Sequence, residues 1–141
     1  MWGTKSAHYN SPDGGLVTLE YLKGKIHMAV VTYANPTYDG SLTLDMDLIE
    51  SAGLQRYQKI LVANASNGSR FETYIIEGER GSGVVGLNGA AALLGKPGDK
   101  VIIMAFCGLT PEEATEHQPT VVHVGAGNRP IIGVPAKAGA A

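Results

Sequence analysis

KILVANASNGSRFETYIIE, residues 59–77, has the pattern of a β-hairpin. Lys59 to Ala63 is a short β-rich run. Asn67-Gly68 is a dipeptide favoured in tight hairpin turns, where positive φ is needed. From Arg70 to Glu77 the residues alternate. Phe71, Thr73 and Ile75 fall on one side and Glu72, Tyr74 and Ile76 on the other, the period of a half-buried strand.

The flanking sequence continues the theme. Upstream, KIHMAVVTY (25–33) predicts a strand that Asn35-Pro36 breaks. Leu42-Thr43-Leu44 is short and extended. Asp45 or Asp47 is placed to cap a short helix through Ile49 and Ala52 that Gly53 ends. Downstream, Gly81-Ser82-Gly83 reads as a turn and Val84 to Leu87 as a strand. A brief helix follows at Asn88-Gly89-Ala90-Ala91-Ala92, ended by Gly95-Lys96-Pro97-Gly98. Val101 to Cys107 is apolar throughout and predicts a central strand buried on both faces. Thr110-Pro111-Glu112-Glu113 has the form of a capping box with proline at the first helical position. Thr120 to Val124 is a last strand. Many short strands, tight turns and a few short helices predict a mainly β chain, a small closed barrel.

Composition narrows the function classes. The 141 residues suit one domain, and a net charge of −2 carries no footprint of nucleic-acid binding. The single cysteine, Cys107, sits in the apolar run, reads as a small core residue and fits a reducing compartment. No apolar stretch is long enough to span a bilayer, so no membrane association is expected. Residues 1–16 are polar, lack the apolar core of a signal peptide and are expected to form a flexible extension. The Gly/Ala-rich tail after Gly125 is expected to fray, with 131–141 as a flexible end. The expected location is the cytoplasm. His8, His117 and His123 lack metal-ligand spacing, and no metal is predicted. Gly81-Ser82-Gly83-Val84-Val85-Gly86 matches the GxGxxG pattern, but its glycines precede a strand rather than a long helix, which argues against a dinucleotide site.

The chemistry centres on Tyr38-Asp39-Gly40-Ser41. Asp-Gly-Ser alone is a turn sequence, and the reading rests on its company. Glycine leaves its carbonyl unshielded, and a strained turn presses the Ser41 hydroxyl against it. An acyl shift from nitrogen to oxygen followed by elimination then cuts the Gly40–Ser41 bond and leaves a pyruvoyl group made from Ser41. Such a group condenses with a substrate amine to a Schiff base and acts as an electron sink for decarboxylation. Lys25 and Arg70 are candidate cations for substrate carboxylates. Tyr74 is a candidate acid. The segment Asn88-Gly89-Ala90-Ala91 offers backbone N–H groups, and Thr73 is placed to polarise the Gly40 carbonyl. Taken singly, Lys25 and Arg70 read as solvated charges, Tyr74 as a packing residue and His27 as structural.

Together these residues resemble the aspartate 1-decarboxylase family, over about Val17 to Pro130. The most specific pieces are GKIH (24–27), YDGS (38–41), NGSRFETY (67–74), GERGSGVVGLNGAAA (78–92) and GDKVII (98–103). The resemblance implies a double-psi β-barrel over 17–130, assembled as a homotetramer with active sites between subunits. The implied activity converts L-aspartate to β-alanine and carbon dioxide for pantothenate and coenzyme A synthesis. Self-cleavage would give chains 1–40 and 41–141. Ser41 matches the pyruvoyl position, Tyr74 the proton donor, and Thr73 a substrate contact also needed for cleavage. Gly89, Ala90 and Ala91 match the substrate-binding backbone, and Lys25 and Arg70 the carboxylate-binding cations. His27 and Asn88 match polar residues lining the site, and Tyr38 the residue preceding the cleavage turn. Met28 stands where the family usually has arginine, Ala63 where some members have tryptophan, and Leu93 where histidine is common. Val17 aligns with the usual initiator methionine, and a GTG start codon would read as valine, which raises the hypothesis that translation of the natural protein starts there and not at Met1. The alternative is an uncleaved, inactive barrel serving as a binding or scaffold module, or the same cofactor acting on another amino acid.

Overall fold

The computed structural model describes residues 15–131. Eight strands form one mixed sheet: β1 (Leu19–Val30), β2 (Tyr33–Asn35), β3 (Ser41–Asp45), β4 (Lys59–Asn64), β5 (Arg70–Gly78), β6 (Val85–Asn88), β7 (Lys100–Leu109) and β8 (Thr120–His123). The order across the sheet is β2-β6-β3-β5-β4-β7-β1-β8. The β4–β5 hairpin forms as its sequence predicts, with Lys59 opposite Tyr74 and Ala63 opposite Arg70. Two short helices, α1 (Met46–Ser51) and α2 (Pro111–Ala114), and 3₁₀ turns at Gly89–Leu93 and Ala126–Asn128 complete the described chain. None of its helices is long and apolar enough to cross a membrane.

Local signals explain several boundaries. Of the two candidate caps for α1, Asp45 is the one used: its carboxylate accepts from Asp47 N at 2.8 Å. The capping box of α2 forms in full between Thr110 and Glu113. β1 is longer than the predicted strand and is interrupted by a bulge between the Ile26 and Ala29 pairings. Met28 sits in that bulge with φ +65°, and the extra residues re-aim the strand next to His27.

Inward-facing residues form one core. Ile26, Leu42, Leu44, Leu48, Val62, Ile75, Leu87 and Ile103 are fully buried within a single apolar cluster. Leu48 comes from α1, so the helix packs onto the sheet through that side chain. The chain between β1 and β2 links distant parts of the strand order. Val31 N donates to Asp99 O at 2.9 Å, ahead of β7, while Thr32 N donates to Val85 O at 2.8 Å, at the start of β6.

Three expectations need correction. β7 is central, paired with β4 and β1, but only one face is buried. Val101, Ile103 and Ala105 point inward, while Phe106 is 42 % exposed. Position in the hydrogen-bonding order and coverage of the two faces are separate properties, and an apolar run reports neither by itself. Cys107 shares the inward side with Val101, Ile103 and Ala105 but lies near the end of the strand, where it is half-buried and not a core residue. The segment just after Gly125 is not frayed either. Asn128 is buried, accepts from Val30 N and donates to Val30 O and Gly83 O, each at 2.8 Å. Its amide satisfies backbone groups that the sheet leaves open, which composition cannot reveal. Ile131 N donates to His123 O at 2.9 Å. Residues 1–14 of the expected extension and 132–141 of the expected tail lie outside the described residues.

Candidate active site

β3 begins at Ser41, and the step into it is abrupt. Pro36 to Gly40 form an exposed turn, whereas Ser41 has no exposed surface. The turn is shaped by Asn35, whose Oδ1 accepts from Thr37 N (3.1 Å) and Thr37 Oγ1 (2.8 Å). Ser41 is the register partner of Asn88 across the antiparallel β3–β6 pair. Asn88 Nδ2 donates to Ser41 Oγ at 2.9 Å and to Thr43 Oγ1 at 2.8 Å. Ser41 Oγ itself lies 3.4 Å from Asp39 O, a long hydrogen bond. Asn88 makes no capping bond to the 3₁₀ turn that follows it, so its amide serves the serine. Its Oδ1 is buried without a partner.

The predicted backbone strain is displaced by one strand. Gly40 is not among the positive-φ residues, and a Cβ added there would meet only Asn88 O at 3.9 Å. The left-handed residue is Gly89, with φ +68°, where an added Cβ would lie 2.6 Å from Gly40 Cα. Glycine is required on the far side, because the 3₁₀ turn presses its backbone onto the turn before Ser41.

An open depression of about 370 Å³ lies at this junction, lined by Gly40, Thr73, Tyr74, Asn88, Ala90 and Ala91, with Phe71, Glu72 and Leu94. The fold thus brings together six of the residues singled out in the sequence, from the turn before β3, from β5, from the end of β6 and from the 3₁₀ turn after it. Tyr74 is 37 % exposed, and its ring is tilted against Tyr57, centroids 6.4 Å apart. Glu72 was legible, since strand period places it beside Tyr74; Leu94 had no sequence signal. Gly89 supports the depression from behind, and Tyr38 stands exposed on the turn.

Lys25, His27 and Arg70 are not in that lining. Lys25 pairs with Met104, Met104 with Leu61 and Leu61 with Glu72. Lys25 on β1 is therefore three strand spacings from β5, roughly 14 Å at the usual separation. Arg70 is exposed at the start of β5. His27 pairs with His123 on β8, and the rings meet edge to face at 5.9 Å. Burial, then the charge of Lys25, then His123 hold His27 below its ordinary pKa, favouring the neutral ring. Its Nδ1 is buried without a partner. Of the three departures, Met28 lies in the β1 bulge, Ala63 is buried opposite Arg70, and Leu93 is 76 % exposed.

The sequence model for the family described as aspartate decarboxylase matches residues 17–131. The aspartate 1-decarboxylase of Clostridium acetobutylicum is 54% identical over 110 residues, covering 78% of this chain and 87% of that protein. That of Caldicellulosiruptor saccharolyticus is 56% identical over 111 residues, 79% and 87% of the two chains. That of Leptospira biflexa is 54% identical over 109 residues, 77% and 92%. These matches put the chain in a class of carboxy-lyases. The chain belongs to the aspartate decarboxylase family.

Proposed function

We propose that this chain decarboxylates L-aspartate to β-alanine and carbon dioxide, in pantothenate and coenzyme A synthesis, with a pyruvoyl group made from its own Ser41. The observation that carries this reading is the Gly40–Ser41 bond itself. It crosses from an exposed turn to a fully buried strand end, at the rim of the depression that holds Tyr74. The residues present fit such a group. Asn88 Nδ2 donates at 2.9 Å to Ser41 Oγ, the oxygen that attacks the Gly40 carbonyl and departs with Gly40, so this contact serves the formation of the group.

Cleavage runs in three steps. The Ser41 hydroxyl oxygen bonds to the Gly40 carbonyl carbon as the carbon–nitrogen bond breaks, and the hydroxyl proton ends on the freed amine. Loss of the Ser41 α-proton then expels the Gly40 carboxylate, ending chain 1–40. Water adds and ammonia leaves, so chain 41–141 begins with the keto group. Thr73 polarises the Gly40 carbonyl in the first step. The finished group supplies an electrophilic carbonyl for the substrate amine and an electron sink as carbon dioxide departs.

The remaining roles belong to side chains and backbone. Arg70 and Lys25 hold substrate carboxylates. Gly89, Ala90 and Ala91 present backbone N–H groups. Tyr74 gives its phenolic proton to the substrate carbon. His27 and Asn88 line the site as neutral polar groups. The separation of Lys25 from Tyr74 within one chain supports a homotetramer with sites between subunits. The tie at Val31 and Thr32 supports closure of the sheet as a double-psi β-barrel over 17–130, and the lone thiol fits the cytoplasm.

Intact mass under denaturing conditions tests the reading. We expect two chains divided between Gly40 and Ser41, the larger lighter by one ammonia than a serine-ended chain. A larger chain with a free serine end would overturn the cofactor. One uncut mass that persists after warm incubation, with no turnover of aspartate, would favour the scaffold alternative.

A further inference from the structure

We infer that Tyr33 and Thr43 are positioning residues for self-cleavage, acting on Ser41 through the Asn88 amide; this rests on the processing reading above. Three consecutive strands carry the arrangement. Gly86 on β6 is the register partner of both Tyr33 on β2 and Thr43 on β3. A side chain at 86 would block the row: an added Cβ would lie 2.1 Å from the Tyr33 ring. Because 86 is glycine, the ring lies across β6 and its hydroxyl donates to Thr43 Oγ1 at 2.9 Å.

Thr43 Oγ1 also accepts from Asn88 Nδ2 at 2.8 Å, and the same nitrogen donates to Ser41 Oγ at 2.9 Å. The chain of contacts therefore runs Tyr33, Thr43, Asn88, Ser41. Asn88 has no exposed surface and its Oδ1 has no partner, so among the described contacts these two hydroxyls alone orient the amide. An amide held at one hydroxyl can turn about its last torsion; held at two, it cannot. Tyr33 in turn holds the Thr43 hydroxyl. The consequence falls on the first cleavage step. The Oγ–carbon bond forms as the Gly40–Ser41 carbon–nitrogen bond breaks, and Oγ must face the Gly40 carbonyl for this to occur.

The test follows cleavage of freshly purified full-length chain by denaturing mass spectrometry, alongside thermal midpoints. Thr43→Val removes the hydroxyl and keeps the shape. Tyr33→Phe removes only the phenolic oxygen. Each is expected to slow cleavage by roughly three- to tenfold, the effect of one lost hydrogen bond in a transition state. Thr43→Ser should cleave at the natural rate. The double variant should be no slower than Thr43→Val, because both changes act through one contact. If Thr43→Val does not fold, Tyr33→Phe against the natural chain decides the matter. A natural chain that cuts while the folded variants cut equally fast would overturn this inference alone. A natural chain that stays whole would overturn the processing reading and this inference with it.

Discussion

Single residues carry the chemistry proposed for this chain, and two of them give direct tests. Tyr74 lines the depression and is partly exposed. Tyr74→Phe is expected to cut normally between Gly40 and Ser41 and to decarboxylate aspartate about 10²- to 10⁴-fold more slowly, the usual value of a positioned acid. Normal turnover in a fully cut Tyr74→Phe preparation would remove Tyr74 from that role. Ser41→Ala is expected to leave one whole, inactive chain, checked by mass and by aspartate turnover. Gly89→Ala places a methyl group against Gly40 at a residue with φ +68°. It should cost about 1–3 kcal/mol in urea unfolding and displace the cleavage turn. The turn at Asp39-Gly40 is readable in the sequence, but the left-handed glycine beside it is Gly89. The close approach is made by a residue far away in sequence.

At the scale of elements, α1 is tied to the β5–β6 connection by one carboxylate. Asp45 caps the helix through Asp47 N and also accepts from Gly81 N (3.0 Å) and Gly83 N (2.7 Å). Burial alone would raise its pKa. The backbone donors of Asp47, Gly83 and Gly81, with the charge of Arg129, outweigh burial and hold it below the usual range. The unfolded chain therefore takes up a proton before the folded one as pH falls. The stabilisation is complete above the unfolded carboxylate value near pH 4 and is lost as pH falls through the lower folded value. Asp45→Asn is expected to cost about 1–3 kcal/mol at neutral pH. It should also flatten the acid limb of the stability curve, measured by urea midpoints on both sides of about pH 4. An unchanged acid limb would show that other carboxylates dominate. Arg80 reinforces the same junction, with hydrogen bonds to Asp47 at 2.7 Å and to Glu50 at 2.8 Å.

At the scale of the whole molecule, the separation between β1 and β5 makes the assembly testable. Mixing Lys25→Ala chains with Tyr74→Phe chains is expected to restore part of the activity that each lacks, as sites built from two chains require. No restoration, or an active monomer by light scattering, would place both residues in one chain's site. The company of Tyr74, Thr73 and Asn88 came from the family resemblance, whereas most strands, the β4–β5 hairpin and the caps of α1 and α2 were readable from local sequence. Such features depend on neighbours within a few residues, through side-chain period, turn chemistry and capping. The tertiary structure alone decided which glycine meets the turn before Ser41, which face of β7 is covered, how Asn128 is buried, and that Tyr33 reaches Thr43 across Gly86. Each of these depends on strands that are adjacent in space and distant in sequence, and register between such strands is set by the packing of the whole core.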